Sequence, residues 1–471
     1  MIEQNILSQN ILTETEIKEI HKASLNILEE VGIEVFQREA REIFSAKGAA
    51  VKDNRVYLSP ELVTKSVAKA PSSFTLHARN PENDVVIGGD NAVLSPSSGP
   101  PFVSDLDKGR RDATFADYIN LTKLAAENDH IDVLGGLLLE PGDVADEIRH
   151  AKMLYAGAKY SDKCLMGSCY GAKKALDCME MARIIFSEDR LIDDRTVLIT
   201  IINTNSPLQL DTRMIDSLIE HAKYNQAVVV TPAAMAGTTG PMSIAGTLAL
   251  QNAEALAGIV LTQLISPGAP VVYGCASTIT DMKTAGLTIG SPEYAKFIGA
   301  SAQLASYYDI PARAGGSLTD SLSPDTQAGY ESMLTFMASI IHNVDFILHA
   351  IGILDSYMTA SYEKFIIDSE IIGMVQNYQS GIAVEGETIA QEVIKNVGPG
   401  GHFLEEAHTL EHMRDFREPL LSDRSTYTSE ENIVPTKVRA NEIWKEKLAN
   451  FEPPYLAPRI DQKLKDFMDK L

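Results

Sequence analysis

A chain of 471 residues with 45% hydrophobic side chains is more than one small core needs. At about 150 residues per domain it allows roughly three domains, or one barrel of about 250 residues with extensions. Its 41 basic and 64 acidic residues give a formal net charge of −23, spread along the chain, which speaks against nucleic-acid partners held through phosphates. The 31 glycines, 21 prolines and 22% charged residues exclude disordered, collagen-like and low-complexity classes.

The amino terminus has no basic residue before Lys18 and no long apolar run, so no secretory signal is expected. Thr13 and Glu16 form a capping box, and Ile17, Ile20, Ile27 and Leu28 recur at helical spacing until Gly32, which predicts a helix over 13–31. Short strands follow at 55–58 and within 74–88, where FTLHAR and DVVIGG flank the turn Asn80-Pro81-Glu82-Asn83. Residues 1–90 therefore read as a small α+β extension.

From 91 to 434, apolar runs rich in β-branched residues alternate with amphipathic helical stretches. The runs are AVLSPSSGPPFV, IDVLGGLLL, KCLMGSC, TVLITIIN, AVVVTPAA, APVVYGCA, IPARAGG and FILHAIG. Strands buried on both faces read this way, and eight of them predict an α/β fold of the TIM (β/α)8 barrel type. A doubly wound open sheet shows the same alternation, but no GxGxxG follows the first strand. The longest apolar region, 243–275, is broken by Gln251, Asn252, Glu254 and Gln263, so a soluble chain without membrane spans is expected. Four irregularly spaced cysteines point to a reducing cytoplasm. Residues 435–471 read as a carboxyl-terminal helical extension divided by Pro453-Pro454, packing on its own barrel or on a partner.

Barrel chemistry sits where strands end. That rule selects the segment Gly315 to Asp320, with Gln327 and Glu331 on the helix that follows. Its glycines let backbone approach a ligand, and its acids converge within about three helical turns. Asp320 is the preferred anionic group, whereas Asp325 reads equally as a helix cap. His349, near the end of FILHAIG, is either a satisfied core histidine or a ligand contact. Phe102, Tyr357 and Tyr362 fall in or near the same loops, where aromatic faces attract cations. His408 and His412, four apart with His402 nearby, have zinc-like spacing, but a solvated helix explains them too, and no metal is assigned.

The strings GTTGPMSIAGTLALQNAEALAGIVLTQLISPGAPVVYG, SPEY, GGSLTDSLSPDTQAGYES, TASYEKFIIDSEI, NVGPGGHFLEEAHT and DLDKGRRDATFADY, together spanning nearly the whole chain, resemble the trimethylamine:corrinoid methyltransferase family. The resemblance implies a TIM-barrel enzyme that moves a methyl group from a methylated amine to the Co(I) corrinoid of a separate small protein, with no cofactor of its own bound tightly. The founding members read a pyrrolysine. This chain has only standard residues and no lysine-like electrophile around Gly316 to Asp320, so it is similar to the branch acting on quaternary amines: glycine betaine first, then proline betaine, carnitine and γ-butyrobetaine.

On that reading Phe102 and Tyr357 hold the trimethylammonium, while a protonated His349 or the N–H groups near Gly315 and Gly316 hold a carboxylate. Gln327 lines the pocket, and Asp320 and Glu331 serve the reaction by positioning and hydrogen bonding. Homo-oligomers are implied as well. The alternatives are a betaine-binding protein that moves no methyl, and a metal-dependent lyase or hydrolase built on His402, His408 and His412.

Overall fold

The computed structural model describes residues 10–89, 91–187, 195–427, 429 and 433–471, so the first nine residues of the amino-terminal reading lie outside the described ones. Eight short parallel strands form the centre: β1 (Val93–Leu94), β2 (Val133–Gly135), β3 (Cys164–Met166), β4 (Leu198–Asn203), β5 (Ala227–Thr231), β6 (Val271–Gly274), β7 (Ala312–Gly315) and β8 (Phe346–Leu348). Consecutive strands from β2 to β8 pair in parallel, and β8 pairs with β1. Asp132 closes the remaining seam: its N–H donates to Leu94 O at 2.9 Å and its carboxylate accepts from the Leu94 N–H at 2.8 Å.

Each strand is followed by a ring helix, from Phe115–Ala126 after β1 to Tyr362–Gln379 after β8. The helix Ile244–Ile265 is long and apolar enough to cross a membrane, yet 83% of its most apolar window is buried within the ring. Being covered on all sides, it needs no polar face.

The first predicted strand is corrected in extent. Within AVLSPSSGPPFV only Val93–Leu94 enters the barrel, and Phe102–Asp105 belongs to another sheet. There it pairs in parallel with Thr359–Ser361 and antiparallel with Gly109–Asp112. Ile353–Leu354 completes this four-stranded sheet at the carboxyl ends of β1 and β8. The turn between Ile353–Leu354 and Thr359–Ser361 carries Tyr357.

The amino-terminal helix spans Glu14–Asn26, with both bonds of the Thr13/Glu16 capping box present, and ends in a π turn, Ile27–Val31, before Gly32 at φ 75°. It lies against the ring helices Ile244–Ile265 and Pro292–Tyr307. The predicted hairpin forms from Ser73–Leu76 and Val85–Gly88. Its Leu76, Ala78 and Ile87 join Val133, Met166, Ile199, Val229, Val272 and Phe346 in the barrel interior, which closes the amino-terminal end. Each such buried aliphatic or aromatic side chain contributes about 1.5–3 kcal/mol. At the other terminus, Thr436–Asn450 packs on the ring helix Tyr362–Gln379, and Pro458–Met468 on Gly171–Phe186. Both carboxyl-terminal helices therefore cover their own barrel.

Candidate functional site

With one barrel end plugged, the carboxyl end is left for chemistry. Alternation along β7 turns Ala312 and Ala314 toward the ring helices and Arg313 and Gly315 inward. Arg313 is 2% exposed. Its Nη1 donates to Cys275 O at 2.7 Å, its Nη2 lies 3.2 Å from His349 Nδ1, and its Nε has no partner. Among the described residues no carboxylate lies within 4.0 Å of it. A guanidinium only donates, so His349 Nδ1 accepts and its proton sits on Nε2, which donates to Ser98 O at 3.0 Å. Burial, assisted by the Arg313 charge, pushes the imidazole down to about 3.

The protonated His349 expected from the sequence is thus replaced by a neutral ring with both nitrogens engaged, and the cation at this place is Arg313. Nor is the Gly316 N–H free, because it donates to Leu348 O at 3.0 Å. Gly315 and Gly316 serve close approach of the protein to itself. A Cβ at Gly315 would lie 2.6 Å from the Tyr294 hydroxyl, and one at Gly316 would lie 2.5 Å from Ala350 Cα.

Two tyrosines complete the centre. Tyr294, fully buried, and Tyr357, half-buried, bring their hydroxyls near each other. Burial pushes the Tyr357 phenol up to about 12. The Tyr357 ring lies 4.7 Å from that of His349. It is held there by an unusual turn, since Asp355, Ser356 and Tyr357 are all left-handed, with φ of 56°, 47° and 76°. Such conformations cost about 1–3 kcal/mol each and persist only when the surroundings over-determine them.

The predicted acidic residues supply that determination. Asp320 accepts from Ser356 Oγ at 2.7 Å and from the N–H groups of Ile289 and Gly290 at 2.8 and 3.0 Å. Thr319 O and Ser321 O accept from the N–H groups of Ser356 and Asp355. Glu331 in turn accepts from Thr319 Oγ1 at 2.6 Å, from the Asp320 N–H at 2.9 Å and from Gln327 Nε2 at 2.9 Å. A chain of contacts therefore runs from Gln327 through Glu331 and Asp320 to Ser356, and so to Tyr357. Asp325 caps the helix Thr326–Ile341.

Phe102 sits at the margin, with the Arg110 guanidinium 3.7 Å from its ring centroid, so a cation of the protein already covers one face. Tyr362 is core: its hydroxyl donates to Asp117 and its ring lies 4.6 Å from Trp444. His408 and His412 lie on the short exposed helix Ala407–His412, where His412 is bonded to Asp415 and His408 to Glu387 O. Among the described residues no group of three or more His, Cys, Asp or Glu is placed to hold a metal ion.

Arg313 and Tyr294 were missed in the sequence. The signal for Arg313 was present, namely a charge inside the apolar run IPARAGG, where an unpaired cation is rare. Tyr294 carried no such mark.

A family model described as trimethylamine methyltransferase (MTTB) matches residues 1–471. The chain belongs to this family. It is a methyltransferase. It is 50% identical over 461 residues to a glycine betaine methyltransferase of Desulfitobacterium hafniense (strain Y51), covering 98% of this chain and 96% of that one. A proline betaine:corrinoid methyltransferase of Eubacterium limosum is 30% identical over 469 residues, covering 97% and 95%. The monomethylamine methyltransferase (MtmB) of Methanosarcina barkeri shares the fold, with a TM-score of 0.50 at 11% identity over 93% of each chain.

The neutral imidazoles give this MTTB-family protein a definite acid response. His221, fully buried, is pushed down to about 4 by burial, and His349 to about 3. An unfolded histidine titrates near 6.5, so below that pH the unfolded chain takes up protons that the native state refuses. Stability should fall as pH drops from about 6.5 toward 4, by up to about 1.4 kcal/mol per pH unit for each histidine. Urea unfolding of wild type and His349→Gln at pH 7 and pH 5 checks this. Equal acid losses in the two proteins would show that His349 takes no part.

Proposed function

We propose that this methyltransferase takes a methyl group from a quaternary amine, glycine betaine foremost, and delivers it to a Co(I) corrinoid carried by a separate protein. The observation that carries the reading is the 50% identity, over 98% of the chain, to a protein named for methyl transfer from glycine betaine. The geometry supports it chemically. A quaternary nitrogen leaves as a neutral amine, so no proton need be supplied. In keeping with that, the acids and bases predicted at the mouth are already engaged: Asp320 and Glu331 by three donors each, and His349 as a neutral ring.

Reduced cobalt supplies the nucleophile, and the chain's residues aim one N-methyl and exclude water. Tyr294 and Tyr357 present aromatic surface to the trimethylammonium without a counter-charge that would hold the ground state too tightly. Asp320, Glu331 and Gln327 are positioning residues for Tyr357. The same proposal includes homo-oligomers in a reducing cytoplasm. Ile382, Leu404, Leu410 and Phe416 are exposed apolar side chains, and all four cysteines are unpaired.

The test combines purified protein, a reduced corrinoid protein and a panel of methylated amines. Glycine betaine should yield dimethylglycine together with a change in the corrinoid absorption spectrum. Preference for trimethylamine, or dimethylglycine formed without corrinoid, would overturn the reading.

A further inference from the structure

We propose that Arg313 is the carboxylate anchor of the substrate site and selects quaternary amines that carry a carboxylate. The inference rests on the function proposed above and names the substrate class of that same site. Three observations carry it.

First, Arg313 is 2% exposed and has no ion-pair partner among the described residues. A buried cation without a counter-ion costs several kcal/mol, so an enclosed guanidinium of this kind calls for an anion. Second, its bonds go to neutral acceptors, Cys275 O and His349 Nδ1, and Nε is left without a partner. Three of its five N–H groups stay uncommitted, enough for the paired bonds a carboxylate takes from a guanidinium fork. Third, it lies at the end of the barrel where chemistry occurs, two residues before Gly315, whose missing side chain leaves Tyr294 its place.

The neighbours suit a carboxylated quaternary amine: His349 Nδ1 lies 3.2 Å from the guanidinium and its ring centroid 4.7 Å from that of Tyr357, so the cation lies in one continuous set of contacts with the aromatic ring. Methyl transfer leaves the carboxylate unchanged, so the anchor orients the donor without opposing loss of charge at nitrogen.

The test is calorimetric and needs no corrinoid. Its ligands are glycine betaine, choline, which lacks the carboxylate, and tert-butylacetate, which lacks the positive charge. Arg313→Met should lose about 100-fold in affinity for glycine betaine and tert-butylacetate and leave choline unchanged. Arg313→Lys, which keeps the charge without the fork, should fall between. The ligand-free Arg313→Met protein should be at least as stable as wild type, because an uncompensated buried charge has gone, whereas an arginine with only a structural role would leave it less stable.

Betaine affinity within about threefold of wild type in Arg313→Met would overturn the anchor while leaving the methyl-transfer reading intact. If wild type binds tert-butylacetate as tightly as glycine betaine and both are lost in Arg313→Met, the anchor stands and the quaternary-amine reading falls. Binding of none of the three ligands by wild type would overturn both.

Discussion

Asp320→Ala should cut methyl transfer by about 100-fold while leaving the barrel folded, because a displacement of about 1 Å at the reacting groups is enough for that loss. The substitution removes the acceptor of the Ser356 hydroxyl and of the Ile289 and Gly290 N–H groups together. What it releases is the left-handed run Asp355 to Tyr357, which is costly on its own and pinned by these bonds. Tyr357 then loses its fixed place against the His349 ring.

A comparison of variants separates positioning from direct chemistry. Ser356→Ala breaks one tie and keeps the carboxylate. If Asp320 positions, Ser356→Ala should show the same kind of defect as Asp320→Ala, a raised KM with a lowered kcat, at roughly a tenth of its size. Asp320→Asn should lie between, since an amide accepts at one oxygen but presents its NH2 to the remaining donors. Full activity in Ser356→Ala alongside an inactive Asp320→Asn would show that the carboxylate itself meets the substrate.

How much of this was legible in the sequence differs between fold and site, for a physical reason. Barrel strands are buried on both faces, so FILHAIG and AVVVTPAA announce themselves without reference to any other segment. The Thr13 and Glu16 box is equally local and forms as read. By contrast, Phe102 pairs with Thr359, more than 250 residues away, and nothing near Phe102 in the chain specifies that partner. The first barrel strand was counted correctly but drawn too long for this reason.

At the site, proximity was legible and role was not. Asp320, Gln327 and Glu331 do converge, as their spacing implied. Whether a carboxylate meets a ligand or a ring of protein donors depends on which N–H groups the fold delivers, and those of Ile289 and Gly290 arrive from another barrel loop. The state of His349 depends likewise on Arg313, its neighbour across β7 and β8 and 36 residues earlier in the chain. A histidine read alone has an ordinary titration, whereas beside a buried guanidinium it is a neutral acceptor.

Lys364→Met should destabilise the protein by about 3–5 kcal/mol, the usual cost of stranding one member of a buried ion pair. Lys364 and Asp368 are one helical turn apart, both side chains are 0% exposed, and Nζ reaches Asp368 Oδ2 at 2.6 Å. Burial pushes the ammonium down and the carboxyl up, and each partner holds the other charged. The pair also fastens the mouth: Lys364 donates to Ser317 O, just after β7, and Asp368 accepts from the Gly352 N–H, just after β8. Replacing both, as Lys364→Met with Asp368→Leu, should recover most of the stability, because two apolar groups of similar volume avoid the desolvation of two charges. Activity should not recover with it, since Ser317 O and Gly352 N–H remain without partners and the loops bearing His349 and Asp320 are no longer tied to the ring helix. Urea unfolding and steady-state rates on the same preparations measure the two effects separately. A double variant as unstable as the single one would mean that the ion pair contributes net stability, and a fully active double variant would mean that the loops hold their places without it.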